Sequence, residues 1–491
     1  MPNPLANPPD LNWIVLLPHL IVLALALATL LYDVIVPDGE ERGWFMTAMS
    51  VVGYGGAIVA ALALTARYET SFVEMVRLDD LGIFLMVSML VAALLTVFIS
   101  ATTVPRLRMP LGEFYTLLAF STLGGMFVAS SMDLVMIFVG IELSSLAVFV
   151  LAAFAKRRRD AIEGALKYFL LNAFATAILV YGMAWLYGVT GSTNLGTIAT
   201  RLTGYTDHNN ISLLLATLLI VVGLGFKAAA VPFHMWTPDA YQGAPTPVSA
   251  FMSVAPKITA FAAIIRVLIQ GMGPMREQWV PLLIVLSVLT MGLGNLVAIA
   301  QRSVKRMLAY SSIAHTGYML VGIAAFQAAN GGDTAISSVL FYNFSYTFMN
   351  LGAFAIVAWL QSKGRGDSID DFSGLAVTAP LHAAAMAVFL FSLTGVPPLL
   401  GFYGKYYVIQ AAIQADLTWL AIVVVLFSAI SAFYYLRLVA TMYFGEPVGE
   451  PARFPARFFG LGIAVMVVAT LVFGILSGPI LDLARQWYLS L

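Results

Sequence analysis

The stretch Gly225–Tyr241, GFKAAAVPFHMWTPDAY, decides how this chain is read. It ends an apolar run with Lys227, then places Pro232, His234 and Pro238 in quick succession. An ammonium group inside hydrocarbon is costly, and ionisable residues at membrane depth usually face a protein interior or a water path. Proline removes a backbone donor and interrupts the helix ladder. Irregular backbone at that depth is tolerated only where protein or water covers it. The stretch therefore predicts a discontinuous membrane helix, with Pro232 opening the break beside Lys227. His234, Trp236 and Asp239 sit in the proline corner, where capping and ordering of the turn are the expected roles.

Composition supports a membrane solvent. The chain has 491 residues, 60% of them hydrophobic and only 10% charged. Soluble domains carry about 25% charged residues. Lys plus Arg and Asp plus Glu are equal at 25 each, so no net charge points toward nucleic acid. Cysteine is absent, which excludes disulfides, thiolate zinc sites and cysteine-ligated iron–sulfur clusters within this chain. The start, MPNPLANPPD, lacks a basic region before the first apolar run, so a retained span is expected rather than a cleaved signal.

A spanning helix needs about 20 mostly apolar residues. Fourteen candidates follow, at 12–31, 44–65, 81–104, 112–130, 132–155, 161–188, 211–233, 246–270, 279–300, 305–327, 334–361, 378–413, 417–444 and 458–479. The run 378–413 is too long for one straight helix and contains TGVPPLLGFYGK, so it too is read as broken. The two proline-interrupted, lysine-bearing segments, 225–234 and 395–405, lie five spans apart. An odd offset reverses direction, which is the layout of an inverted repeat with its functional sites at the broken helices. The expected fold is an all-α polytopic membrane protein forming a single integral membrane domain. Its parts are three N-terminal helices (12–104), a first repeat (112–270), a second repeat (279–444) and a last helix (458–479).

Basic residues favour cytoplasmic loops. Loops after odd-numbered spans hold 14: Arg42, Arg106, Arg108, Lys156, Arg157, Arg158, Arg159, Arg302, Lys305, Arg306, Lys363, Arg365, Arg453 and Arg457. The opposite side holds 5: Arg67, Arg77, Arg201, Arg276 and Arg485. Both termini are thus expected on the non-cytoplasmic side. Six basic residues remain inside spans: Lys167, Lys227, Lys257, Arg266, Lys405 and Arg437. Only Glu142 among the acids lies deep in a span.

These residues carry the candidate chemistry. Burial disfavours a lysine's ammonium form and a nearby carboxylate favours it, so Lys227 and Glu142 form a candidate switchable pair rather than a static strut. Lys257 follows Pro256 in mid-span, and Lys405 follows the Pro397-Pro398 break. His315 lies in SSIAHTGYML, a polar stripe with Tyr310, Ser311, Ser312, Thr316 and Tyr318 that suggests water and a proton relay. Glu163 and Lys167, four apart, are expected to pair along a helix. Arg266 and Arg437 are expected to snorkel or to bridge helices. The histidines His19, His208, His234, His315 and His382 do not share a helix at haem-ligating spacing, and no dinucleotide or Walker motif is present.

Taken together, IFVGIELSSLAVFVL around Glu142, GFKAAAVPFHMWTPDAYQGAPTPVSAF, the Pro256-Lys257 pair, QRSVKRMLAYSSIAHTGYML and FSLTGVPPLLGFYGKYYV resemble the antiporter-like membrane subunits of respiratory complex I, the proton-translocating NADH:quinone oxidoreductase. The resemblance covers spans two to fourteen. It implies two inverted five-helix repeats, spans 4–8 and 9–13, with spans 7 and 12 broken. It also implies that Glu142 and Lys227 are the family's glutamate–lysine pair and Lys257 its central lysine. His315 would lie on the polar axis and Lys405 would be the terminal proton-exit residue. No cofactor is implied in this chain. Flavin and iron–sulfur clusters would sit in partner subunits, the partners being other membrane-arm subunits, the hydrophilic redox arm and lipid. A bacterial plasma membrane is the implied location. Two other classes share parts of the pattern: an Mrp-type cation/proton antiporter subunit, or a membrane subunit of a ferredoxin- or deazaflavin-linked dehydrogenase or hydrogenase. A membrane subunit whose buried charges only fix helix packing is the rival from outside transport.

Overall fold

The structure, a computed structural model, describes residues 11–37, 40–107, 109–205, 210–326, 332–448 and 457–489. Arg108, His208 and Arg453, and the side chain of Arg457, lie outside the described residues. The N-terminal part holds α1 (Trp13–Ile35), α2 (Glu40–Ala63) and α3 (Asp80–Arg106), with an antiparallel hairpin of β1 (Glu69–Ser71) and β2 (Val76–Leu78) before α3. Next come α4 (Leu111–Ala129), α5 (Leu134–Ala152), α6 (Arg159–Thr190), the short α7 (Leu195–Thr203), α8 (Ile211–Lys227), α9 (Trp236–Gly243) and α10 (Thr246–Ile264). A π-helical turn, Ile265–Gly271, continues α10. The order then repeats with α11 (Arg276–Ile299), α12 (Val304–Ala324), α13 (Gly332–Ser362), the short α14 (Leu375–Thr378), α15 (Pro380–Thr394), α16 (Leu400–Gln414) and α17 (Thr418–Phe444). The helices α18 (Arg457–Ile475) and α19 (Ser477–Leu489) follow.

Each half therefore reads helix, helix, long helix, short helix, broken helix, long helix. Among the described residues, ten helices are long and apolar enough to cross a membrane on their own. The expected fourteen crossings require in addition the two broken helices and α12 and α13. The last two have spanning length but are too polar to qualify on composition. Their polarity is tolerable because they lie inside: Ser311, Ser312, His315 and Thr316 of α12 are all buried. The same holds for α3 and α10, whose side chains are almost all enclosed by the outer helices.

Glycines set how closely the helices cross. A Cβ on Gly124 of α4 would lie 2.5 Å from the Ser144 backbone nitrogen of α5, and one on Gly294 of α11 would lie 2.6 Å from that of Ala314 in α12. The first two helices of each half are thus joined at a seam that admits no side chain.

Three features differ from the sequence reading or add to it. Helix α12 begins at Val304, so Lys305, expected in a loop, lies in the first helical turn and is 1% exposed. The short α7 was not anticipated; it buries Leu195, Ile198 and Leu202 along one face. Arg266 does not snorkel. It donates to Asp79 Oδ1 (2.6 Å) and Oδ2 (2.7 Å) and to the Ala129 carbonyl (2.7 and 3.0 Å), joining α10 to α3 and α4. Asp79 reads in sequence as a boundary acid because it caps α3, accepting from Gly82 N–H at 2.7 Å.

Candidate functional site

The first station forms where α5, α6 and α8 meet. Helix α8 approaches α6 closely because Gly223 has no side chain: a Cβ there would lie 2.6 Å from Leu179 Cβ. That contact carries the last residue of α8, Lys227, onto the α6 face bearing Asn172 and Thr176, four residues apart. Lys227 Nζ donates to Glu142 Oε1 (2.9 Å), Asn172 Oδ1 (2.6 Å) and Thr176 Oγ1 (3.1 Å). All three ammonium hydrogens are used. Thr176 in turn donates to Glu142 Oε1 at 2.7 Å. The Glu142 side chain is 22% exposed, against 7% for Lys227. The carboxylate therefore reaches the outer face of the bundle while the lysine is enclosed.

The break beyond Lys227 leaves backbone groups without helical partners, and neighbouring helices satisfy them, as buried backbone requires. The Ala228 carbonyl accepts from Thr316 Oγ1 of α12 at 2.8 Å, and Val231 N–H donates to Thr290 Oγ1 of α11 at 2.9 Å. The Phe226 carbonyl accepts from Trp236 Nε1 at 3.3 Å. Pro232 is exposed and His234 half-buried in the corner, where the His234 carbonyl accepts from Thr237 N–H at 2.9 Å.

Lys257 forms the second station. Pro256 cannot donate to the Met252 carbonyl one turn back, and Tyr241 OH takes that carbonyl at 3.0 Å. Lys257 Nζ donates to the Ser312 carbonyl and to Thr316 Oγ1 (2.8 Å). Thr316 therefore links Lys257 to the break beside Lys227. A cavity of about 20 Å³ adjoins Lys227 and is lined also by Ser144, Ser145, Tyr168, Pro256 and Thr259. A water needs about 10–15 Å³, so the space suits one.

His315 and Lys405 continue the file. The Tyr346 ring is 5.7 Å from Lys257 Nζ and 5.0 Å from the His315 ring. His315 Nδ1 is 2.7 Å from Tyr342 OH, and Nε2 is 3.2 Å from Tyr435 OH, which also bonds Ser311 Oγ. The Tyr318 ring lies 5.7 Å from that of His315 and 5.1 Å from Lys405 Nζ. Lys405 Nζ donates to the Thr394 carbonyl and to Ser428 Oγ, each at 2.8 Å. Thr394 ends α15, so the ammonium sits at the negative end of a half-helix. Pro397 is exposed within this second break.

The structure thus brings Glu142, Lys227, Lys257, His315 and Lys405 into one file, buried from Lys227 to Lys405. Tyr310 lies off it, half-buried, with its ring 6.0 Å from the Arg306 guanidinium. Sequence reading missed Asn172, Thr176, Tyr342, Tyr346 and Tyr435. Asn172 and Thr176 had a usable signal: polar residues four apart inside the apolar run 161–188. Glu163 and Lys167 pair at 2.7 Å as expected, and Lys167 also reaches Asp239 at 2.8 Å. Arg437 bridges helices through the Ile299 (2.9 Å) and Gln301 (2.7 Å) carbonyls.

Known proteins resemble this chain in sequence and fold. Residues 131–431 match the family described as NADH:quinone oxidoreductase/Mrp antiporter, TM. The NADH-quinone oxidoreductase subunit N of Trichlorobacter lovleyi is 44% identical over 479 residues, 97% of each chain. That of Chloroflexus aggregans is 41% identical over 490 residues, again 97% of each. Among solved structures, a chain of respiratory complex I from Thermus thermophilus with bound aureothin aligns with TM-score 0.78 at 32% identity, covering 95% of this chain and 99% of that one. A chain of the Mrp complex from Dietzia sp. shares the fold, with TM-score 0.84 at 20% identity and 97% of both chains covered.

Proposed function

The chain belongs to the NADH:quinone oxidoreductase/Mrp antiporter transmembrane family, and from that premise we propose that it serves as the subunit N-type component of an NADH-quinone oxidoreductase. In this reading it moves protons along Glu142, Lys227, Lys257, His315 and Lys405. Quinone reduction in other subunits drives the movement. The observation that carries the reading is the difference between the stations. Lys227 has a carboxylate partner. Lys257 and Lys405, among the described residues, are held only by carbonyl and hydroxyl oxygens.

With Glu142 in contact, a proton rests on Lys227 as an ammonium. Movement of Glu142 toward the outer face removes the counter-charge. The Lys227 N–H bond then breaks toward the cavity water, and a new N–H bond forms on the Lys257 amine. The proton continues by way of His315 to Lys405. The chain works among other membrane-arm subunits and lipid, with electrons carried by flavin and iron–sulfur clusters of a hydrophilic arm. It sits in a bacterial plasma membrane, with both termini on the non-cytoplasmic side.

Substituting Lys227→Ala in the assembled complex tests the reading. Proton pumping per NADH oxidised should fall, and normal assembly with full pumping would end the claim. Purification through a tag on this chain tests the partnership, since flavin- and iron–sulfur-binding proteins should accompany it.

A further inference from the structure

Away from the proton file, the basic end of the bundle carries an apolar groove with charges at its rim. Helix α1 crosses the start of α4 there. The Asp33 carboxylate, paired with Arg42, fills the space that a Cβ on Gly112 would need. Beside that crossing, α5 ends at Ala152 and α6 starts at Arg159. The space left between these ends is a cavity of about 420 Å³ walled by Leu30, Leu117, Val150, Ala153, Phe154 and Ile162. Leu30, Val150 and Ile162 are exposed, so the cavity opens sideways through the apolar surface of the bundle. Its floor is apolar as well. Thr116 lines it, but the Thr116 hydroxyl is engaged with that of Thr29 at 3.0 Å.

The groove lies at the depth where hydrocarbon gives way to water. Leu117 is six residues into α4 and Leu30 five from the end of α1. Six residues are roughly 9 Å of helix at about 1.5 Å per residue. Two opposite charges line the same cavity: Glu113, in the first turn of α4, and Lys156, in the connection from α5 to α6. Both are exposed, and among the described residues neither side chain has an ion-pair or hydrogen-bond partner. Arg157 and Arg159, next to Lys156, are exposed too, whereas Arg158 is 3.8 Å from Asp160.

We propose that this groove holds a phospholipid whose head carries both a phosphate and a primary ammonium, as in phosphatidylethanolamine. An acyl chain fills the apolar cavity, Lys156 binds the phosphate, and Glu113 accepts from the ammonium. Basic side chains at the interface attract phosphate heads of any kind, so Lys156 and its neighbours supply affinity. Glu113 supplies the choice. A primary ammonium gives it a charge-assisted hydrogen bond. The quaternary ammonium of phosphatidylcholine has no N–H to give, and phosphatidylglycerol brings no cation. The site refines the lipid partnership proposed above and is independent of proton movement along the file.

The test uses the tagged full-length chain, purified in mild detergent and stripped of lipid. Phosphatidylethanolamine, phosphatidylcholine and phosphatidylglycerol with matched acyl chains compete in equal amounts, and bound lipid is read by native mass spectrometry. Wild type should favour phosphatidylethanolamine by about ten-fold, the worth of one hydrogen bond to a charged group. Glu113→Gln should lose that preference, Lys156→Gln should weaken all three lipids, and Val150→Trp, which fills the groove, should hold none of them tightly. No preference in wild type, or an unchanged preference in Glu113→Gln, overturns the proposal. If Val150→Trp fails to fold, the two exposed charge variants decide alone. The rival occupant is a segment of another subunit. A benzophenone amino acid placed at position 162 of the assembled complex distinguishes them: the proposal requires a phosphatidylethanolamine adduct, and a protein adduct or none overturns it. Pumping enters neither readout, so loss of the proton reading would leave this result standing.

Discussion

Asp79→Ala offers the sharpest energetic test of how the N-terminal helices are held to α10. Asp79 and Arg266 are both 0% exposed, and they exchange two hydrogen bonds, at 2.6 and 2.7 Å. Removing the carboxylate leaves a guanidinium buried without counter-charge. Breaking a buried pair in this way costs about 3–5 kcal/mol. The Gly82 N–H also loses its cap, adding about 1 kcal/mol. Asp79→Asn keeps a capping oxygen and one acceptor for Arg266, so its loss should be smaller. Removing both charges in Asp79→Leu/Arg266→Met leaves nothing charged to strand, and apolar replacement of a buried pair is often nearly neutral. The double variant should therefore be more stable than Asp79→Ala. The assay is the thermal midpoint of the tagged chain in detergent, read by fluorescence size-exclusion. The expected order is wild type, then the double variant and Asp79→Asn, with Asp79→Ala last. A double variant as unstable as the sum of Asp79→Leu and Arg266→Met would refute the argument, because it would mean that the two groups are not coupled.

Three further outcomes follow from the geometry. Thr176→Val keeps the shape but removes the hydroxyl shared by Lys227 and Glu142, a loss of about 1–3 kcal/mol for a bond to a charged group; pumping should drop with Glu142 and Lys227 intact, and an unchanged rate in vesicles would contradict the role given to Thr176. Tyr435→Phe strands His315 Nε2 and Ser311 Oγ, at about 1–3 kcal/mol, and should slow pumping more than it lowers the amount of complex; the reverse pattern on immunoblots and in pumping assays would make Tyr435 structural. Gly124→Ala drives a Cβ to 2.5 Å from the Ser144 nitrogen, an overpacking cost of about 1–3 kcal/mol; the chain should accumulate poorly in membranes, and wild-type abundance would show that the seam can open.

Much of this arrangement was legible before any coordinates. Charge inside an apolar run and proline beside it are strong signals, because few other residues are so costly at depth. They located both breaks, with Lys227 and Lys405, and the Pro256-Lys257 pair within α10. The partnership of Lys227 with Glu142 was legible by exclusion, since no other acid lies deep in a span. What stayed hidden depends on helix rotation and end effects. Asp79 reads as a boundary acid because only the fold reveals that the hairpin and α10 close over it. Lys305 reads as an orientation charge because loop and first turn look alike one residue from a boundary. Tyr310 is near His315 in sequence but faces Arg306. The tyrosines that touch the imidazole come from α12, α13 and α17.

The two hydroxyls that clasp His315 have a consequence for tempo. A neutral imidazole carries one hydrogen and one lone pair. Suppose a proton arrives on Nδ1 from the Tyr342 side and another leaves from Nε2 toward Tyr435. The ring is then left as the opposite tautomer, its receiving nitrogen already filled. It sits between the Tyr318 and Tyr346 rings and is 1% exposed, so turning over would displace its neighbours. The next proton must wait until the hydrogens on the imidazole and its clasping hydroxyls are restored. On the proposed route, His315 would be a turnstile rather than an open wire: it would admit one passenger, lock, and have to be wound back before it admitted another.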